Sequence, residues 1–418
     1  MEFKRDFYLN QLIGARHNGM IKIVTGLRRC GKTYLLFEIF RSWLEQQGVR
    51  PDHIITISLD DVRNASLREP LTLVKYVEAR IEDTQQYYVI IDEVQMMINF
   101  VDALNSMLHI KNVDCYVTGS NSRFLSKDVA TEFRGRGYEI HIYPLSFAEY
   151  YEAVGGDFSG CWRAYSNYGG LPQAVKMPDG RSKIGYLKNL ATTVYLTDVI
   201  ERNRVQNRAE LEELLRLVAS AIGSPTNPTK ISNTFRSVAQ KTISRATITK
   251  YLAYFEDAYL IRRAMRYDVK GKKYISTLSK YYFTDIGLRN ALTGFRQVEE
   301  THIMENVIYN ELVARGYSVD VGIVQNRVTD SAGRMIRKTF EVDFVANRIP
   351  SRIYIQSALS MSTAEKMAQE TASLQRINDN FYKVVIVRDN IEPWYNVDGV
   401  RFIGLYDFLL KPSIIETL

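Results

Sequence analysis

A glycine-rich octapeptide near the amino terminus contains residue types that can hold phosphate. Gly26, Gly31, Lys32 and Thr33 fit the spacing G-x-x-x-x-G-K-[ST]. Glycines let backbone N–H groups close around a phosphate, and a lysine at this position reaches the β- and γ-phosphates. The hydroxyl that follows the lysine is a ligand for Mg²⁺. We therefore expect ATP or ADP and Mg²⁺ to bind at Gly26, Leu27, Arg28, Arg29, Cys30, Gly31, Lys32 and Thr33.

An acidic pair follows a buried apolar run later in the chain. Asp92 and Glu93 come directly after residues 87–91, which predict a strand. An acid at the end of a buried strand needs a partner or a metal, because an isolated buried charge is costly. We expect Asp92 to join Thr33 at the Mg²⁺ ion, and Glu93 to polarise the attacking water. The alternative, a pair that only caps a helix, is disfavoured by the phosphate-binding motif.

Further polar residues are candidates for the same chemistry. Ser120 and Asn121 follow a fourth predicted strand and are suited to orienting water, although a plain turn is the alternative. Arg134 and Arg136 lie in a basic, glycine-containing stretch. Either arginine is suited to stabilise transition-state charge as an arginine finger, and a solvated basic loop is the alternative. The predicted catalytic residues are Lys32, Glu93, Ser120, Asn121, Arg134 and Arg136.

The residues between these motifs predict the elements that position them. Apolar runs alternate with helical periodicity, at residues 21–25, 53–59, 87–91 and 114–118. Strands separated by helices predict a parallel sheet with helices on both faces, which is an α/β nucleotide-binding core. Residues 146–218 have a helical pattern and predict a lid or linker. The last third predicts a helix at residues 305–315, a second helix and several strands.

Composition and charge narrow the class of protein. The chain has 418 residues, of which 46% are apolar, enough for two to four domains. We find neither a targeting signal nor an apolar run of membrane-spanning length, so no membrane contact is expected. Three widely spaced cysteines predict neither disulfides nor a zinc site. These features predict a cytoplasmic protein.

Positive charge is concentrated between residues 228 and 282. This segment holds twelve Lys or Arg residues against three acidic ones, in a chain of net charge +7. Two helices and a hairpin are expected here, with Ile248, Leu252 and Phe255 facing a core. The side chains then available to a polyanion such as duplex DNA are Arg245, Thr249, Lys250, Lys270, Lys272 and Lys273.

The motifs together resemble the uncharacterised bacterial and archaeal ATPases of the AAA+ superfamily that carry a C-terminal domain of unknown function. The resemblance spans nearly the whole chain, through Val24–Thr33, Ile91–Gln95, Val117–Ser122, Pro144–Phe147, Tyr168–Pro172, Lys280–Arg289, Glu305–Asn306, Glu341–Val345 and Tyr354–Ser357. It implies a P-loop ATPase core over residues 1–145, a helical lid over 146–218, a winged helix-turn-helix over 219–296 and a restriction-endonuclease-like α/β domain over 297–418.

The implied C-terminal domain resembles the PD-(D/E)XK nuclease arrangement, with Glu305 on a helix and Asp343 on a strand. That chemistry needs an acid two residues before a lysine, to bind Mg²⁺ and to steady the attacking hydroxide. Gln356 and Ala358 stand at those positions. Glu305, Asp343 and Glu341 are then expected to hold at most a weak ion. We expect a structural or nucleic-acid-binding remnant rather than a nuclease.

These features favour a Mg²⁺-dependent ATPase that couples its nucleotide state to a DNA-associated activity. One alternative is a nucleotide-gated switch that acts on a protein partner, with the winged helix as a packing unit. A defence effector with a cryptic nuclease is another. Self-association is required if an arginine finger acts between copies.

Overall fold

The computed structural model describes residues 1–119, 135–238, 242–296, 299–329, 334–361 and 363–416. The chain divides into two units. The N-terminal unit comprises residues 1–145, 171–173 and 257–259. The C-terminal unit comprises residues 146–170, 174–256 and 260–418.

Parallel strands form the centre of the N-terminal unit. They are β1 (Ile21–Gly26), β2 (Ile54–Ser58), β3 (Tyr87–Asp92), β4 (Val113–Thr118) and β5 (Gly137–Ile142). Within the described residues, these strands make one sheet in the order β2-β3-β4-β1-β5. β4 therefore lies between β1 and β3, and the carboxyl ends of these three strands meet at one edge. The predicted α/β fold with a parallel sheet is confirmed, although β5 was not expected from the sequence.

Helices cover both faces of this sheet. On one face, Leu73 and Leu104 pack among apolar strand residues such as Val89. On the other face, the ring of Phe40 lies 4.7 Å from that of Tyr116. The helices are α1 (Asp6–Gly14), α2 (residues 32–46), α3 (Pro70–Glu78) and α4 (Phe100–Met107). Burial on both faces explains why the strands are nearly continuous apolar runs.

An ion pair is buried inside this unit, between Lys22 of β1 and Asp114 of β4. The Lys22 side chain is 0% exposed. Its ammonium also donates to the Met20 carbonyl oxygen at 2.9 Å, and the Asp114 carboxylate accepts from the Tyr116 hydroxyl at 2.8 Å. These partners offset the cost of taking two charges out of water.

Helices dominate residues 146–257, as the sequence predicts. They are α5 (Phe147–Val154), α6 (Phe158–Tyr168), α7 (Pro172–Lys176), α8 (residues 180–203), α9 (Arg208–Ser220), α10 (Pro228–Val238) and α11 (Arg245–Asp257). Among the helices of the described residues, none has the length and apolarity that a membrane span requires.

A mixed sheet follows in the C-terminal unit. Its strands are β6 (Ile261–Asp268), β7 (Lys273–Phe283), β8 (Ser318–Thr329), β9 (Met335–Arg348), β10 (Ser351–Ala358), β11 (Tyr382–Val387), β12 (Trp394–Tyr395) and β13 (Arg401–Gly404). In the described part of the chain their order is β12-β13-β11-β10-β9-β8-β6-β7. β6 and β7 form the expected antiparallel hairpin, and β6 also pairs with β8 in parallel through Arg266–Asp268. The hairpin is therefore part of the same sheet as the C-terminal strands.

The helices of this last region are α12 (Ile286–Leu292), α13 (Glu300–Ala314), α14 (Ala364–Thr371) and α15 (Leu405–Leu410). α13 is followed by three strands, β8, β9 and β10, which pair antiparallel. After α14, β11 pairs with β10 in parallel. β8, β12, β13 and α15 were not among the expected elements.

Two sequence motifs of the C-terminal unit meet at the start of α12. The Asp285 carboxylate accepts from the Leu288 N–H at 3.1 Å and from the Gly170 N–H at 2.8 Å. Gly169 has a φ of +73°, and a Cβ there would lie 2.3 Å from Asp285 Oδ1. The glycine pair after α6 therefore allows a carboxylate to bind backbone amides, which is a structural role.

We predict that removing one partner of the buried Lys22–Asp114 ion pair strongly lowers the free energy of unfolding. Asp114→Ala leaves the Lys22 ammonium buried without its counter-charge and should lower the free energy of unfolding by about 3–5 kcal/mol. Urea unfolding of the full chain measures this change. The matched control is the double variant Lys22→Met/Asp114→Leu, which removes both charges and should recover most of the loss. A single variant within about 1 kcal/mol of the wild type would contradict the prediction.

Candidate functional site

The loop between β1 and α2 has a backbone that glycines make possible. Gly26 has a φ of +139°, and a Cβ there would lie 2.1 Å from the Ile142 carbonyl oxygen. Gly31, with a φ of +102°, also lies in the region that L side chains avoid. Leu27 and Cys30 are fully buried and anchor the loop. Cys30 Sγ lies 3.6 Å from the Ile142 carbonyl oxygen as a donor, which fits a packing role.

Lys32 lies at the centre of this loop. Its side chain is buried, with 5% of the residue exposed, and the ammonium donates to the carbonyl oxygens of Gly26 and Leu27 at 3.1 Å each. The first turn of α2 begins at the same residue. The loop therefore presents an ammonium and a helix N-terminus together, a combination that suits a triphosphate. Arg28 and Arg29 are exposed at its rim.

Asp92 joins the phosphate loop to the strand ends. Its carboxylate Oδ2 accepts from the Thr33 hydroxyl at 2.9 Å, and Oδ1 accepts from the Thr118 hydroxyl. Thr118 ends β4 and Asp92 ends β3, so the adjacent strands place the two side chains side by side. The hydroxyl of Thr33 and the carboxylate of Asp92 are oxygen donors of the kind that Mg²⁺ prefers. They would hold Mg²⁺ beside the phosphates, where the ion would neutralise charge on the phosphate oxygens.

The environment of Asp92 affects its ionisation. Burial raises the pKa of this carboxyl above its ordinary value, and the neighbouring charge of Glu93 acts in the same direction. The hydrogen bonds from Thr118 and Thr33 oppose this rise. Two hydroxyl donors therefore limit the rise in the pKa of Asp92 that burial causes.

Glu93 has an unusual backbone conformation. Its φ of +53° lies in the left-handed region, which is uncommon for a side chain of this size. The Glu93 N–H donates to the Thr118 hydroxyl oxygen at 3.0 Å, and the Gln95 amide donates to the Glu93 carboxylate. Thr118 thus contacts both acidic residues. Backbone strain of this kind persists where surrounding contacts enforce it, as at many functional sites.

Sequence reasoning missed Thr118 and Gln95. Thr118 could have been found from its position, because it ends β4, the strand between β1 and β3. The polar candidates that the sequence suggested begin two residues later. Those candidates, Ser120 and Asn121, lie outside the described residues, as does Arg134.

Arg136 is not brought to the phosphate loop of its own chain. It precedes β5, and its carbonyl oxygen accepts from the Ile21 N–H at 2.9 Å at the amino-terminal end of β1. The phosphate loop follows the other end of β1, a strand length of about 17 Å away. Arg136 is exposed, so a role between copies of the chain stays a prediction.

The side chains predicted to face DNA are exposed. They are Arg245, Thr249, Lys250, Lys270, Lys272 and Lys273. Ile248, Leu252 and Phe255 of α11 are buried, as their spacing predicted. Thr249 lines a cleft of about 330 Å³ together with Arg263 of β6. α11 and the hairpin therefore border one concave surface.

The nuclease-like candidates of the C-terminal unit lie close together. The Gln356 side-chain oxygen accepts from the Asp343 N–H at 3.4 Å, and Asp343 Oδ2 accepts from the Ser357 N–H at 2.8 Å. Glu305 joins them through Lys280, whose ammonium lies 2.7 Å from Glu305 Oε1 and 4.0 Å from Asp343 Oδ1. From the sequence, Lys280 belonged to the basic segment and to the motif Lys280–Arg289, and its contact with these acids was not expected.

We predict that Thr118→Val lowers Mg²⁺-dependent ATP turnover by about tenfold to a hundredfold, as loss of a supporting hydrogen bond does at metal sites. Valine keeps the shape of threonine but cannot donate to Asp92 or accept from Glu93. The pKa of Asp92, already raised by burial, should rise further without the hydroxyl. Since the carboxylate is the form that works with Mg²⁺, turnover should fall more at about pH 6 than at about pH 8.

Steady-state turnover of wild type, Thr118→Val and Thr118→Ser across this pH range checks the prediction. Serine retains the hydroxyl and should keep most of the activity and the wild-type profile. Equal activity of the valine and serine variants at every pH would show that the hydroxyl has no such role.

Similarity to solved structures is low. A Walker-type ATPase of Pyrococcus abyssi matches with a TM-score of 0.48 and 15% identity, over 70% of this chain and 96% of that chain. An ORC1 protein of Aeropyrum pernix, solved in complex with DNA, matches with a TM-score of 0.27 and 13% identity, over 70% of this chain and 93% of that chain. Both TM-scores are below 0.5, so neither likeness bears on what this chain binds.

Sequence similarity is more informative. The family model of an AAA domain matches residues 18–151, and one described as a domain of unknown function (DUF8612) matches residues 161–299. An uncharacterized protein of Methanocaldococcus jannaschii is 31% identical over 339 residues, 78% of this chain and 71% of that protein. An uncharacterized protein of Haemophilus influenzae is 32% identical over 413 residues, 97% of this chain and 98% of that protein. The chain therefore belongs to the same family as the Haemophilus influenzae protein, and its first part is an AAA-type P-loop ATPase domain.

Proposed function

We propose that this chain is a Mg²⁺-dependent ATP hydrolase. The observation that carries the proposal is the contact of Asp92 with Thr33 of the phosphate loop and with Thr118 of β4. Lys32 and the amides of the loop bind the β- and γ-phosphates, and Thr33 and Asp92 bind Mg²⁺. Glu93 follows Asp92 at the same strand end and accepts a proton from the attacking water. Gln95 donates to the Glu93 carboxylate and orients it.

We predict that two substitutions separate binding from hydrolysis. Lys32→Ala removes the ammonium from the loop and should abolish ATP binding, measured by calorimetry. Glu93→Gln keeps the size of the side chain but not its basicity, so ATP should still bind while turnover falls by at least about a hundredfold. Lys75→Ala, at an exposed lysine of α3, is the matched control and should change neither quantity. Full turnover by Glu93→Gln would remove that residue from the proposed mechanism.

We further propose that nucleotide state is coupled to a DNA-associated activity. Three helices, α9 to α11, and the β6–β7 hairpin follow one another in the order of a winged helix. The candidate contact residues on α11 and on the hairpin turn are exposed, in a segment with a strong excess of positive charge. A recognition helix beside a basic wing suits duplex DNA, with phosphate contacts supplying most of the affinity.

We predict that reversing three exposed charges, in Lys250→Glu/Lys270→Glu/Lys272→Glu, abolishes a mobility shift of duplex DNA. The loss follows because each reversal replaces attraction to phosphate with repulsion. The matched control reverses three exposed lysines elsewhere, Lys75, Lys111 and Lys188, and should retain the shift. ATP turnover of the wild type should also rise when duplex DNA is added. A DNA shift that both triple variants retain would exclude the basic segment as the binding surface.

A nucleotide-gated switch on a protein partner is the second candidate. It is favoured by the pairing of β6 with β8, because a hairpin held in a sheet is suited to packing between modules. ATP turnover that does not change when DNA is added would favour this candidate.

If Arg136 is an arginine finger, it acts between copies, since it lies far from the phosphate loop of its own chain.

We propose that α13 to β11 form a nuclease-like fold that does not cleave. A helix, three antiparallel strands, a second helix and a parallel strand follow one another in this region. Gln356 and Ala358 occupy the positions of the required acid and lysine on β10. An amide is a poor ligand for Mg²⁺, and alanine cannot steady a hydroxide. These two residues therefore disfavour a defence effector that cuts nucleic acid.

A further inference from the structure

Lys280 of β7 lies among three carboxylates of the C-terminal unit. The residue is 3% exposed, and its ammonium lies 2.7 Å from Glu305 Oε1 and 2.9 Å from Glu341 Oε1. Asp343 Oδ1 is 4.0 Å away. The three acids come from α13 and β9, so one ammonium contacts side chains of two separate elements. Nothing in the proposed ATPase chemistry uses this cluster.

The remaining contacts of the cluster orient the acids toward this centre. The Tyr282 hydroxyl donates to Glu305 Oε1 at 2.6 Å. The Ser357 N–H donates to Asp343 Oδ2 at 2.8 Å, which leaves Oδ1 on the side of Lys280. His302 Nδ1 lies 3.6 Å from Glu305 Oε2, on the outer side of the cluster. Glu305 and Asp343 are therefore held in place by protein donors.

Electrostatics favour a permanent cation at this position. Burial by itself lowers the pKa of Lys280, but the charges of Glu305, Asp343 and Glu341 outweigh it and raise the pKa above its ordinary value. The pKa of Asp343 is raised to about 7, by burial and then by the charge of Glu305. Three carboxylates around one ammonium therefore favour its charged form.

In the nuclease arrangement that the sequence resembles, Glu305 and Asp343 correspond to acids that hold a divalent metal. Here they surround an ammonium instead. In the part of the chain that the structure describes, no group of three or more His, Cys, Asp or Glu side chains is arranged to hold a metal ion. The amide of Gln356 also replaces the acid that would complete a metal site. A side-chain cation and a divalent ion cannot occupy the same position between these carboxylates.

We propose that the Lys280 ammonium replaces the divalent cation that a nuclease holds between these acids. This inference rests on the nuclease-like fold proposed above. The lysine satisfies the carboxylates permanently, so the fold is stable without metal, and its removal uncovers a divalent-cation site. Because its ammonium is already taken up by Glu305, Glu341 and Asp343, Lys280 is a structural cation here and not a lysine that steadies an attacking hydroxide.

Mn²⁺ binding to the full chain without nucleotide tests the proposal, with free Mn²⁺ followed by electron paramagnetic resonance. Lys280→Ala should bind about one Mn²⁺ per chain more than the wild type. Adding Asp343→Asn to Lys280→Ala should remove this extra ion, because the ion needs that carboxylate. The matched control is Lys383→Ala, which removes a lysine of β11 that donates to the Ile377 carbonyl oxygen at 2.7 Å. It should bind as much Mn²⁺ as the wild type. Any Mn²⁺ bound at the phosphate loop is the same in all variants and does not affect the difference between them.

Two results would overturn the proposal. One is a wild type that already binds the additional Mn²⁺ and loses it in Asp343→Asn. The other is a folded Lys280→Ala protein, judged by circular dichroism, that binds no more Mn²⁺ than the wild type. If Lys280→Ala does not fold, Lys280→Met keeps the aliphatic stem, and saturating Mn²⁺ should raise its Tm more than that of the wild type. An equal rise in Tm for the wild type and a folded Lys280→Met protein would likewise overturn the proposal. ATP turnover measured on the same samples reports separately on the proposed hydrolase, whose failure leaves the Mn²⁺ comparison intact.

Discussion

Hydrogen bonding of one buried carboxylate organises the nucleotide-binding end of the sheet. Asp92 ends β3 below the surface, where a charge without partners would be costly. It is satisfied by two hydroxyls, from Thr33 at the start of α2 and from Thr118 at the end of β4. These contacts require β4 to lie between β1 and β3, so the strand order and the chemistry of the loop depend on one another. The same Thr118 hydroxyl accepts from the Glu93 amide and so fixes the second acid.

Buried charge recurs in both units and is handled in the same way. Lys22 in the first sheet and Lys280 in the second are almost fully buried, and each contacts a carboxylate of another strand or helix. A lysine on an apolar strand is conspicuous in the sequence, but the acid that pairs with it is not. Asp114 lies 92 positions from Lys22, and Glu305 lies 25 positions from Lys280. Such pairs specify which elements are neighbours, because a wrong pairing would leave a charge buried alone.

The separation of interacting residues along the chain explains which features could be predicted from the sequence. The phosphate loop and the Asp92–Glu93 pair were predictable because their residue types and order are local. Thr118 and Lys280 were not, since their partners are brought near only by the fold. β5 and β8 were missed because neither has the continuous apolar run by which β1 and β3 were found. Each has a shorter alternation of three apolar residues, Tyr138, Ile140 and Ile142 in β5 and Val319, Val321 and Ile323 in β8. α11 was predictable because its core-facing residues have clear apolar spacing, whereas α13 begins at Glu300, before the predicted start at residue 305.

The parallel pairing of β6 with β8 at Arg266–Asp268 has a mechanical consequence. Backbone pairing with β8 holds the end of β6 next to the turn in the sheet. The basic turn that follows Asp268 is therefore fixed in position relative to the sheet. A load applied to that turn would pass into β8 and its neighbours as a shear across the strands. A force on this turn would therefore be transmitted to the whole sheet, because β6 is paired with β8 up to the turn.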